Sequence, residues 1–263
     1  MVVWPGEGRN VDCTPLIAER DNVITFETGY GAMANALIVM AKYWQPGQVK
    51  TRLAAKIGFD AAASLHELFT RRLAQSLDQV GDCRQMRVAP DTRCGEMADA
   101  ISSNWTIAVQ RDGDLGRRMW RGFSDCFAAG ATRVVMIGAD LPTLGHADIE
   151  LAFEHLDCCD VVIGPAVDGG YYLIGLNRGH QEIDRFLSLF GTLSWGTSSV
   201  FTDTLSIAQR VGLTVRQLPE REDVDHWADL VRLVQRLERS DSSDDTALAL
   251  AIRARIQHVS LVD

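Results

Sequence analysis

Two cations follow the first apolar run of the chain, which covers residues 36–42. Lys50 and Arg52 lie two residues apart, just after Gly47, and a glycine there lets the backbone approach a ligand. This combination suits the phosphates of a nucleotide. A solvated basic turn is the alternative interpretation, because the stretch is neither a GxGxxG motif nor a Walker loop.

A single carboxylate, Asp140, follows the apolar run 133–138. An aspartate at the end of a buried strand is well placed to hold a divalent cation against phosphate oxygens, since such ions prefer hard oxygen ligands. We therefore predict Mg²⁺ or Mn²⁺ at this position. The alternative is that Asp140 caps the helix that follows.

The stretch 164–175, GPAVDGGYYLIG, places Asp168 beside two glycines. Gly169 and Gly170 permit main-chain angles closed to other residues and leave space, so Asp168 can face a pocket. Tyr171 and Tyr172 then offer hydroxyls or a stacking surface. A hairpin turn followed by core tyrosines is the alternative.

The fourth candidate segment, Glu222 to Asp225, is acidic and comes late in the chain. In an extended segment Asp223 and Asp225 lie on the same side, so one can reach a metal ion while the other caps the next helix or supports the ligands. An isolated acidic turn is the alternative.

The elements that must position these residues alternate between strand and helix patterns. The strand candidates are 36–42, 85–89, 106–110, 133–138, 160–164, 171–176 and an edge strand 213–218, and the helix candidates are 60–79, 114–129, 146–156, 198–211, 226–238 and a final helix after 245. Two of the strands, 133–138 and 160–164, are apolar after their first residues, Arg133 and Asp160, as in central strands covered on both faces. We predict a three-layer α/β fold with a mostly parallel sheet.

The length of 263 residues fits one large α/β domain with additions. We predict a loosely ordered N-terminal extension at 1–34, a nucleotide-binding domain at 35–239, and an acidic linker with a C-terminal helix at 240–263. Translation from Met33 would make the preceding residues a leader without a structural role. The last helix is expected to pack back or to meet a partner, which allows a homo-oligomer.

Composition excludes several classes of function. The net charge of -9 argues against a nucleic-acid partner, which normally requires a basic face. No run approaches the roughly 20 apolar residues of a membrane span, and the N-terminus has no signal-peptide pattern, which indicates a cytoplasmic protein. The six cysteines include no CxxC pair and are interpreted as reduced core thiols.

Six ordered motifs carry a resemblance to a known family. They are Lys42 with GxVKTRL at 47–53, GDLGxRM at 113–119, IGADLP at 137–142, GPxxDGGYYLIG at 164–175, WGT at 195–197 and DVD at 223–225. In this order they resemble the bacterial GT-A-type nucleotide-diphospho-sugar transferases, often labelled glycosyltransferases. More distantly, they are similar to the guanylyltransferases that make molybdenum cofactor and the phospholactate-linked cofactor. The resemblance covers 35–233.

The resemblance implies a Rossmann-like GT-A fold with a nucleotide over the carboxyl ends of the first strands. It also implies Mg²⁺ or Mn²⁺ held by Asp140 and Asp225. The matching motifs add Asp114 to the nucleotide-binding residues, and Trp195 and Thr197 to the substrate-binding residues. The chain departs from the family pattern at two places: Trp44 stands in place of a common Pro, and His226-Trp227 in place of a Thr-Pro-like helix start.

We therefore predict a metal-dependent transferase, with nucleotidyl transfer from a nucleoside triphosphate to a small phosphorylated or hydroxyl acceptor as the leading reaction. Lys50, Asp140 and Asp168 are the predicted catalytic residues. Lys50 and Arg52 suit a triphosphate, and Asp168 with Gly169, Gly170 and Tyr171 would bind the acceptor.

Two alternatives are kept open. The first is glycosyl transfer from a nucleotide sugar, with Asp168 as the base. Against it, Asp140 is followed by Leu-Pro and lacks the Asp-x-Asp common in metal-dependent glycosyltransferases. The second is a nucleotide-binding module without catalysis.

Overall fold

The computed structural model describes residues 35–179, 183–191, 193–257 and 259. The predicted extension at 1–34 lies outside these residues. Within the described part of the chain, no helix is both long enough and apolar enough to cross a membrane.

Seven strands form one mixed sheet at the centre of the described chain. They are β1 (Asn35–Lys42), β2 (Cys83–Ala89), β3 (Thr106–Val109), β4 (Arg133–Gly138), β5 (Val161–Pro165), β6 (Tyr171–Asn177) and β7 (Val215–Gln217). Their order is β3-β2-β1-β4-β6-β5-β7. Only β6 runs antiparallel to its neighbours, β4 and β5. The predicted mostly parallel sheet is confirmed.

The chain order reverses direction in the sheet between β1 and β4. From β1 the chain continues outward through β2 to β3, and it then returns to place β4 on the other side of β1. In open α/β sheets the ligand crevice lies at the carboxyl ends of the strands where this reversal occurs. The residues that follow Lys42 and Gly138 therefore face the expected binding position.

Nine α-helices surround the sheet in the described part of the chain. They are α1 (Thr51–Ile57), α2 (Phe59–Ser76), α3 (Cys94–Ala100), α4 (Leu115–Ala128), α5 (His146–Leu156), α6 (Ile183–Gly191), α7 (Val200–Arg210), α8 (Trp227–Glu238) and α9 (Ser243–Arg255). Apolar residues of α2, α3 and α5 cover one face of the sheet. Those of α4, α6 and α7 cover the other. The three-layer prediction is confirmed.

Several element bounds differ from the sequence prediction. The pattern at 60–79 is preceded by an additional short helix, α1, and Gly58 with φ +84° separates α1 from α2. Helices α3 and α6 were not predicted, because they span only 7 and 9 residues and show too few turns for a clear period. The predicted edge strand 213–218 is reduced to β7.

Helices α1, α2, α8 and α9 share a third apolar cluster outside the sheet. Helix α9 packs against α2 and α8 through Leu248, Ala249 and Ile252, all buried. This cluster holds α1 against the rest of the domain. It thereby also holds Lys50, the residue that precedes α1. The proposed division between 35–239 and 240–263 stays a prediction.

A matched pair on α9 tests its contribution to stability. Ile252 is 0% exposed and Leu250 is 64% exposed on the same helix. We expect Ile252→Ala to lower the free energy of unfolding by about 2–5 kcal/mol through loss of burial and the cavity left behind. Leu250→Ala should change it by less than about 0.5 kcal/mol. Urea denaturation measures both, and equal small changes would show that α9 adds nothing to the core.

Candidate active site

Lys50 lies immediately before α1 in an unusual backbone conformation. Its φ of 47° and ψ of 41° are left-handed, which costs a non-glycine residue roughly 1 kcal/mol. The Lys50 side chain is nevertheless only 2% exposed. Strained residues that carry a buried charge are concentrated at functional positions, because the surrounding structure must compensate for them.

The ammonium group of Lys50 joins two distant carboxylates. Its Nζ atom contacts Oδ1 of Asp140 and lies 3.1 Å from Oδ1 of Asp225. At the outer side Nη1 of Arg52, which is 64% exposed, lies 3.5 Å from Oδ2 of Asp225. The structure thus brings together four sequence-predicted site residues, from the loop after β1, the end of β4 and the late acidic segment.

The pKa shifts in this group follow from burial opposed by charge pairing. Burial favours a lower pKa for Lys50, but Asp140 and Asp225 outweigh it and raise the pKa. Burial favours a higher pKa for Asp140, but Lys50 and His66 outweigh it and lower the pKa. Both members of the pair are therefore charged at neutral pH, and each stabilises the charged form of the other.

A backbone hydrogen bond fixes the late acidic segment beside Asp140. The Val224 N–H donates to the Asp140 carbonyl oxygen at 3.2 Å. The Val224 side chain is buried in the cluster shared by α1 and α8. Because side chains alternate along an extended segment, Asp223 and Asp225 are directed away from that cluster.

Helix α8 follows this segment, and a side chain of its own first turn binds the backbone at the point where the helix begins. Asp229, in the first turn of α8, accepts hydrogen bonds from the backbone N–H groups of Asp225 at 3.0 Å and His226 at 2.6 Å. This is the half of a capping box that the third residue of the helix provides, whereas a Thr at position 226 would accept an N–H from within the helix. The exposed His226 contributes its backbone N–H to this cap.

Asp223 is a further acidic residue of the site that the sequence prediction did not assign to the metal. Burial, followed by the charges of Asp225 and Asp168, raises the pKa of Asp223 to about 6. These interactions place Asp223 within electrostatic range of Asp168, Asp140 and Lys50. The alternation of the EDVD segment predicts this position for Asp223, on the same side as Asp225.

The loop that carries Asp168 is shaped by close backbone packing. Oδ1 of the exposed Asp168 accepts the Gly170 N–H at 2.9 Å. Gly169 has φ +89°, and a Cβ atom there would lie 2.1 Å from the Ser198 carbonyl oxygen. The Phe201 N–H also donates to the Gly169 oxygen at 3.0 Å. Only glycine fits at 169, and it joins the Asp168 loop to the segment before α7.

Trp195 connects this segment to the start of α4. A Cβ atom at Gly116 would lie 2.7 Å from the Trp195 ring, so only glycine permits the contact. Tyr171 meets Trp195 edge to face, with ring centroids 6.4 Å apart. Its hydroxyl lies 4.0 Å from the Met119 sulfur, and burial raises its pKa. Tyr171 is therefore positioned as a packing residue beside the Asp168 loop.

Other predicted site residues have local structural partners. Asp114 caps α4 by accepting the Arg117 N–H at 2.8 Å, and the Thr197 hydroxyl donates to the Ser194 oxygen at 2.8 Å. The Tyr172 hydroxyl donates to the Pro219 oxygen at 3.2 Å, on the opposite face of β6 from Tyr171. Gly47 has φ +79° in the turn before Lys50. The ligand-binding roles assigned to these residues stay predictions.

The site also contains His66 of α2, which sequence reasoning missed. His66 is 4% exposed, its Nε2 lies 3.0 Å from the Lys42 carbonyl oxygen, and its Nδ1 lies 4.0 Å from Oδ1 of Asp140. Burial is the main cause of its lowered pKa. A lone histidine in an amphipathic helix gives no motif, so nothing in the sequence separates it from an ordinary core residue.

The acidic residues fit a shared cation. Asp140 and Asp225 already contact one positive group, the Lys50 ammonium, so their separation is one that a single ion can span. Carboxylate oxygens are suitable ligands for Mg²⁺ or Mn²⁺. Among the described residues, no group of three or more His, Cys, Asp or Glu side chains is placed to hold a metal ion.

Alanine substitutions at two glycines test the packing of the Asp168 loop, because one position adds only backbone strain and the other adds a steric clash as well. Gly169 and Gly196 have similar φ angles, +89° and +83°, but a Cβ atom meets a neighbour within 4 Å only at Gly169. We expect Gly196→Ala to destabilise by about 1 kcal/mol, and Gly169→Ala by a further 1–3 kcal/mol or so. Thermal unfolding measures both. Equal losses would contradict the close contact with Ser198.

The architecture and the site define an α/β transferase with its charged residues at the switch point of the sheet. A crystal structure designated a nucleotide-diphospho-sugar transferase, from Desulfovibrio desulfuricans G20, matches with 32% identity and a TM-score of 0.77. The match covers 86% of this chain and 98% of that one. The chain belongs to the nucleotide-diphospho-sugar transferase family, and the predicted enzyme class is confirmed. Residues 72–197 also match the family described as "Uncharacterized protein conserved in bacteria (DUF2064)".

More distant structures show the same fold. A cytidylyltransferase from Leptospira borgpetersenii matches with 11% identity and a TM-score of 0.54, over 87% of this chain and 98% of that one. A 4-diphosphocytidyl-2C-methyl-D-erythritol synthase from Anaerococcus prevotii matches with 9% identity and a TM-score of 0.51, over 79% and 99%. The comparison with curated proteins gave no match.

Proposed function

We propose that this transferase moves a nucleotidyl group from a nucleoside triphosphate to a small phosphorylated or hydroxyl acceptor. The observation that carries the proposal is the buried Lys50 ammonium held between Asp140 and Asp225, with Arg52 at the rim. A cation in this position suits the charge that gathers on a leaving pyrophosphate.

The reaction is an in-line displacement at the α-phosphorus. An acceptor oxygen forms a bond to the α-phosphorus while the bond from this phosphorus to the bridging oxygen of the β-phosphate breaks, and pyrophosphate leaves with that electron pair. A phosphate acceptor attacks already deprotonated, and a hydroxyl acceptor passes its proton to the Asp168 carboxylate, which exchanges it with solvent. In this scheme Lys50 and Arg52 bind the pyrophosphate portion and stabilise its negative charge.

A divalent cation is part of the proposal. Asp140 and Asp225 would hold it, and Mg²⁺ or Mn²⁺ at this position would neutralise charge on the phosphate oxygens. Asp223 adds a further carboxylate near these two. Burial, followed by repulsion from the neighbouring carboxylates, raises the pKa of Asp223 to about 6. An added cation would relieve this repulsion.

Asp168 is proposed to orient the acceptor. Its loop lies between β5 and β6, at the same edge of the sheet as Asp140, and its carboxylate is exposed. The hydrogen bond from the Gly170 N–H and the packing of Gly169 against Ser198 fix the direction of the loop. An exposed carboxylate on a fixed loop can accept a hydrogen bond from an acceptor hydroxyl.

Glycosyl transfer is the second candidate, favoured by the name of the similar D. desulfuricans protein. In that reaction the same residues would hold the diphosphate of a nucleotide sugar. The products distinguish the two reactions. Nucleotidyl transfer releases pyrophosphate from a triphosphate, whereas glycosyl transfer releases a nucleoside diphosphate from a nucleotide sugar.

The first test uses two aspartates at opposite ends of β4. Asp140 follows the strand, whereas Asp157 pairs with Arg133 at its start and is 66% exposed. With Mg²⁺ or Mn²⁺, a panel of triphosphates and phosphorylated acceptors should give pyrophosphate with the wild type. We expect Asp140→Asn to lower kcat at least about 100-fold and Asp157→Asn to leave it unchanged.

Three results would contradict parts of this proposal. Nucleoside diphosphate release from nucleotide sugars, without pyrophosphate release from triphosphates, would replace nucleotidyl transfer by glycosyl transfer. Full turnover by Asp140→Asn would remove Asp140 from the metal site. Saturable nucleotide binding without turnover across the panel would favour a non-catalytic module.

The second test addresses Lys50 as a competitor of the metal ion. The Lys50 ammonium neutralises Asp140 and Asp225, so Lys50→Met should raise the affinity for Mn²⁺ in the absence of nucleotide by about tenfold or more. Tenfold corresponds to about 1.4 kcal/mol, which is less than the roughly 4 kcal/mol attraction between two close unit charges near a protein surface. The same change should weaken triphosphate binding. Arg52→Met, at an exposed position, should alter Mn²⁺ affinity much less. Calorimetric titration measures both affinities, and unchanged Mn²⁺ binding by Lys50→Met would refute the competition.

A further inference from the structure

One ion pair joins the late acidic segment to the helix that follows Asp140. Nη2 of Arg221 donates to Oδ1 of Asp148 at 2.6 Å. Asp148 lies in the first turn of α5, and its other oxygen, Oδ2, accepts the Gly145 N–H at 3.0 Å. Both oxygens of this carboxylate are therefore in use, which leaves the side chain little freedom to turn. A hydrogen bond between a charged donor and a charged acceptor is short and directional.

The main chain of Arg221 is paired with the strand that leads to the Asp168 loop. The Arg221 N–H donates to the Pro165 carbonyl oxygen at 3.0 Å, and the Val167 N–H donates to the Arg221 carbonyl oxygen at 3.1 Å. These bonds extend the parallel contact between β5 and β7 past the ends of both strands. Arg221 is thus attached to the hairpin one residue before Asp168.

These contacts close a ring at the edge of the sheet. From Asp140 the chain runs along a loop into α5, and the ion pair crosses from α5 to Arg221. Three residues later the Val224 N–H returns to the Asp140 carbonyl oxygen at 3.2 Å. Asp223 lies on the returning part of the ring, and the Asp168 loop is attached to the ring at Arg221. All links are covalent or main-chain bonds except the ion pair, so the ion pair is the link that a side-chain substitution opens.

We propose that Arg221 is a positioning residue, which sets the Asp168 loop at the correct distance from the acidic residues beside Asp140. This inference rests on the proposed function, in which Asp168 orients the acceptor while Asp140 and Asp225 hold the cation on the phosphates. The reacting atoms are held by both halves of the site, so an error in the separation of the halves slows the displacement. In this role Arg221 touches neither substrate.

The exposure of the ion pair separates this role from a general contribution to stability. The side chains of Arg221 and Asp148 are 41% and 24% exposed. Ion pairs with this access to water contribute little to the free energy of unfolding. A displacement of about 1 Å between reacting groups, by contrast, can lower a rate by about 100-fold. Opening the ring should therefore reduce turnover far more than stability.

The test compares Arg221→Gln with a matched control in the full chain. Arg253 of α9 pairs with Glu238 of α8 at the same distance, 2.6 Å, with side chains 47% and 40% exposed. We expect Arg221→Gln to lower kcat by about 10- to 100-fold, with an unchanged Kd for the triphosphate. Arg253→Gln should leave kcat unchanged. Each change should shift the midpoint of thermal unfolding by less than about 4 °C.

Two further variants examine the ion pair itself. Arg221→Lys keeps a charged donor and should recover most of the lost kcat. Asp148→Asn removes the negative charge but keeps an oxygen that can accept the Gly145 N–H, and it should lower kcat about as much as Arg221→Gln. Because these two changes open the same link, the double variant should be no slower than the slower single variant, whereas independent effects would multiply. If Arg221→Gln does not fold, Asp148→Asn and Arg221→Lys serve for the comparison with the control.

The outcomes separate this inference from the proposed function. Unchanged kcat in Arg221→Gln, or multiplying effects in the double variant, would refute the positioning role and leave the proposed function standing. A higher KM for the acceptor at unchanged kcat would also refute it, because Arg221 would then be a binding residue. A weaker Kd for the triphosphate together with a lower kcat would show a general distortion, with the same consequence.

Both kinds of donor are assayed, because either transfer reaction needs the two halves of the site at a fixed separation. If only nucleotide sugars are turned over, nucleotidyl transfer is wrong, and the same fall in kcat with Arg221→Gln would still support the positioning role. If the wild type turns over neither kind of donor, both proposals are overturned.

Discussion

The site depends on one charged contact, that of the Lys50 ammonium with Asp140 and Asp225. A lysine with a side chain 2% exposed is costly to bury unless its charge is paired, and two carboxylates from distant parts of the chain provide that pairing. The contact orders three segments at once: the loop after β1, the end of β4 and the segment before α8. The loop before α1, the cap of α8 and the backbone bond of the late acidic segment each help to hold these three residues in contact.

Backbone groups supply much of that support. The bond from the Val224 N–H to the Asp140 carbonyl fixes the late acidic segment, and Asp229 fixes the beginning of α8 beyond it. The Lys42 carbonyl holds the ring of His66 in the same region. The bond from Val224 to Asp140 joins two main-chain groups, so it carries no signature in a single sequence. The other two contacts need the Asp229 carboxylate and the His66 ring, but their backbone partners cannot be read from the sequence.

This difference explains how much of the molecule could be predicted. The apolar run 133–138 coincides with β4, and long helices with a clear period were identified because burial imposes that period. Charged residues after strands, such as Lys50 and Asp140, were found because a sheet brings strand ends together. Short helices were missed for lack of turns, and His66 was missed because its place beside Asp140 depends on a carbonyl from another element.

The antiparallel strand β6 has a consequence for how such a protein can evolve. Because β6 returns directly beside β5, a single hairpin delivers Asp168 to the edge of the sheet where Asp140 lies. Residues can be inserted at the tip of this hairpin without shifting the pairing of β1 with β4. The half of the site proposed to orient the acceptor can therefore change in length, while the strands that position the residues proposed to bind phosphates keep their pairing.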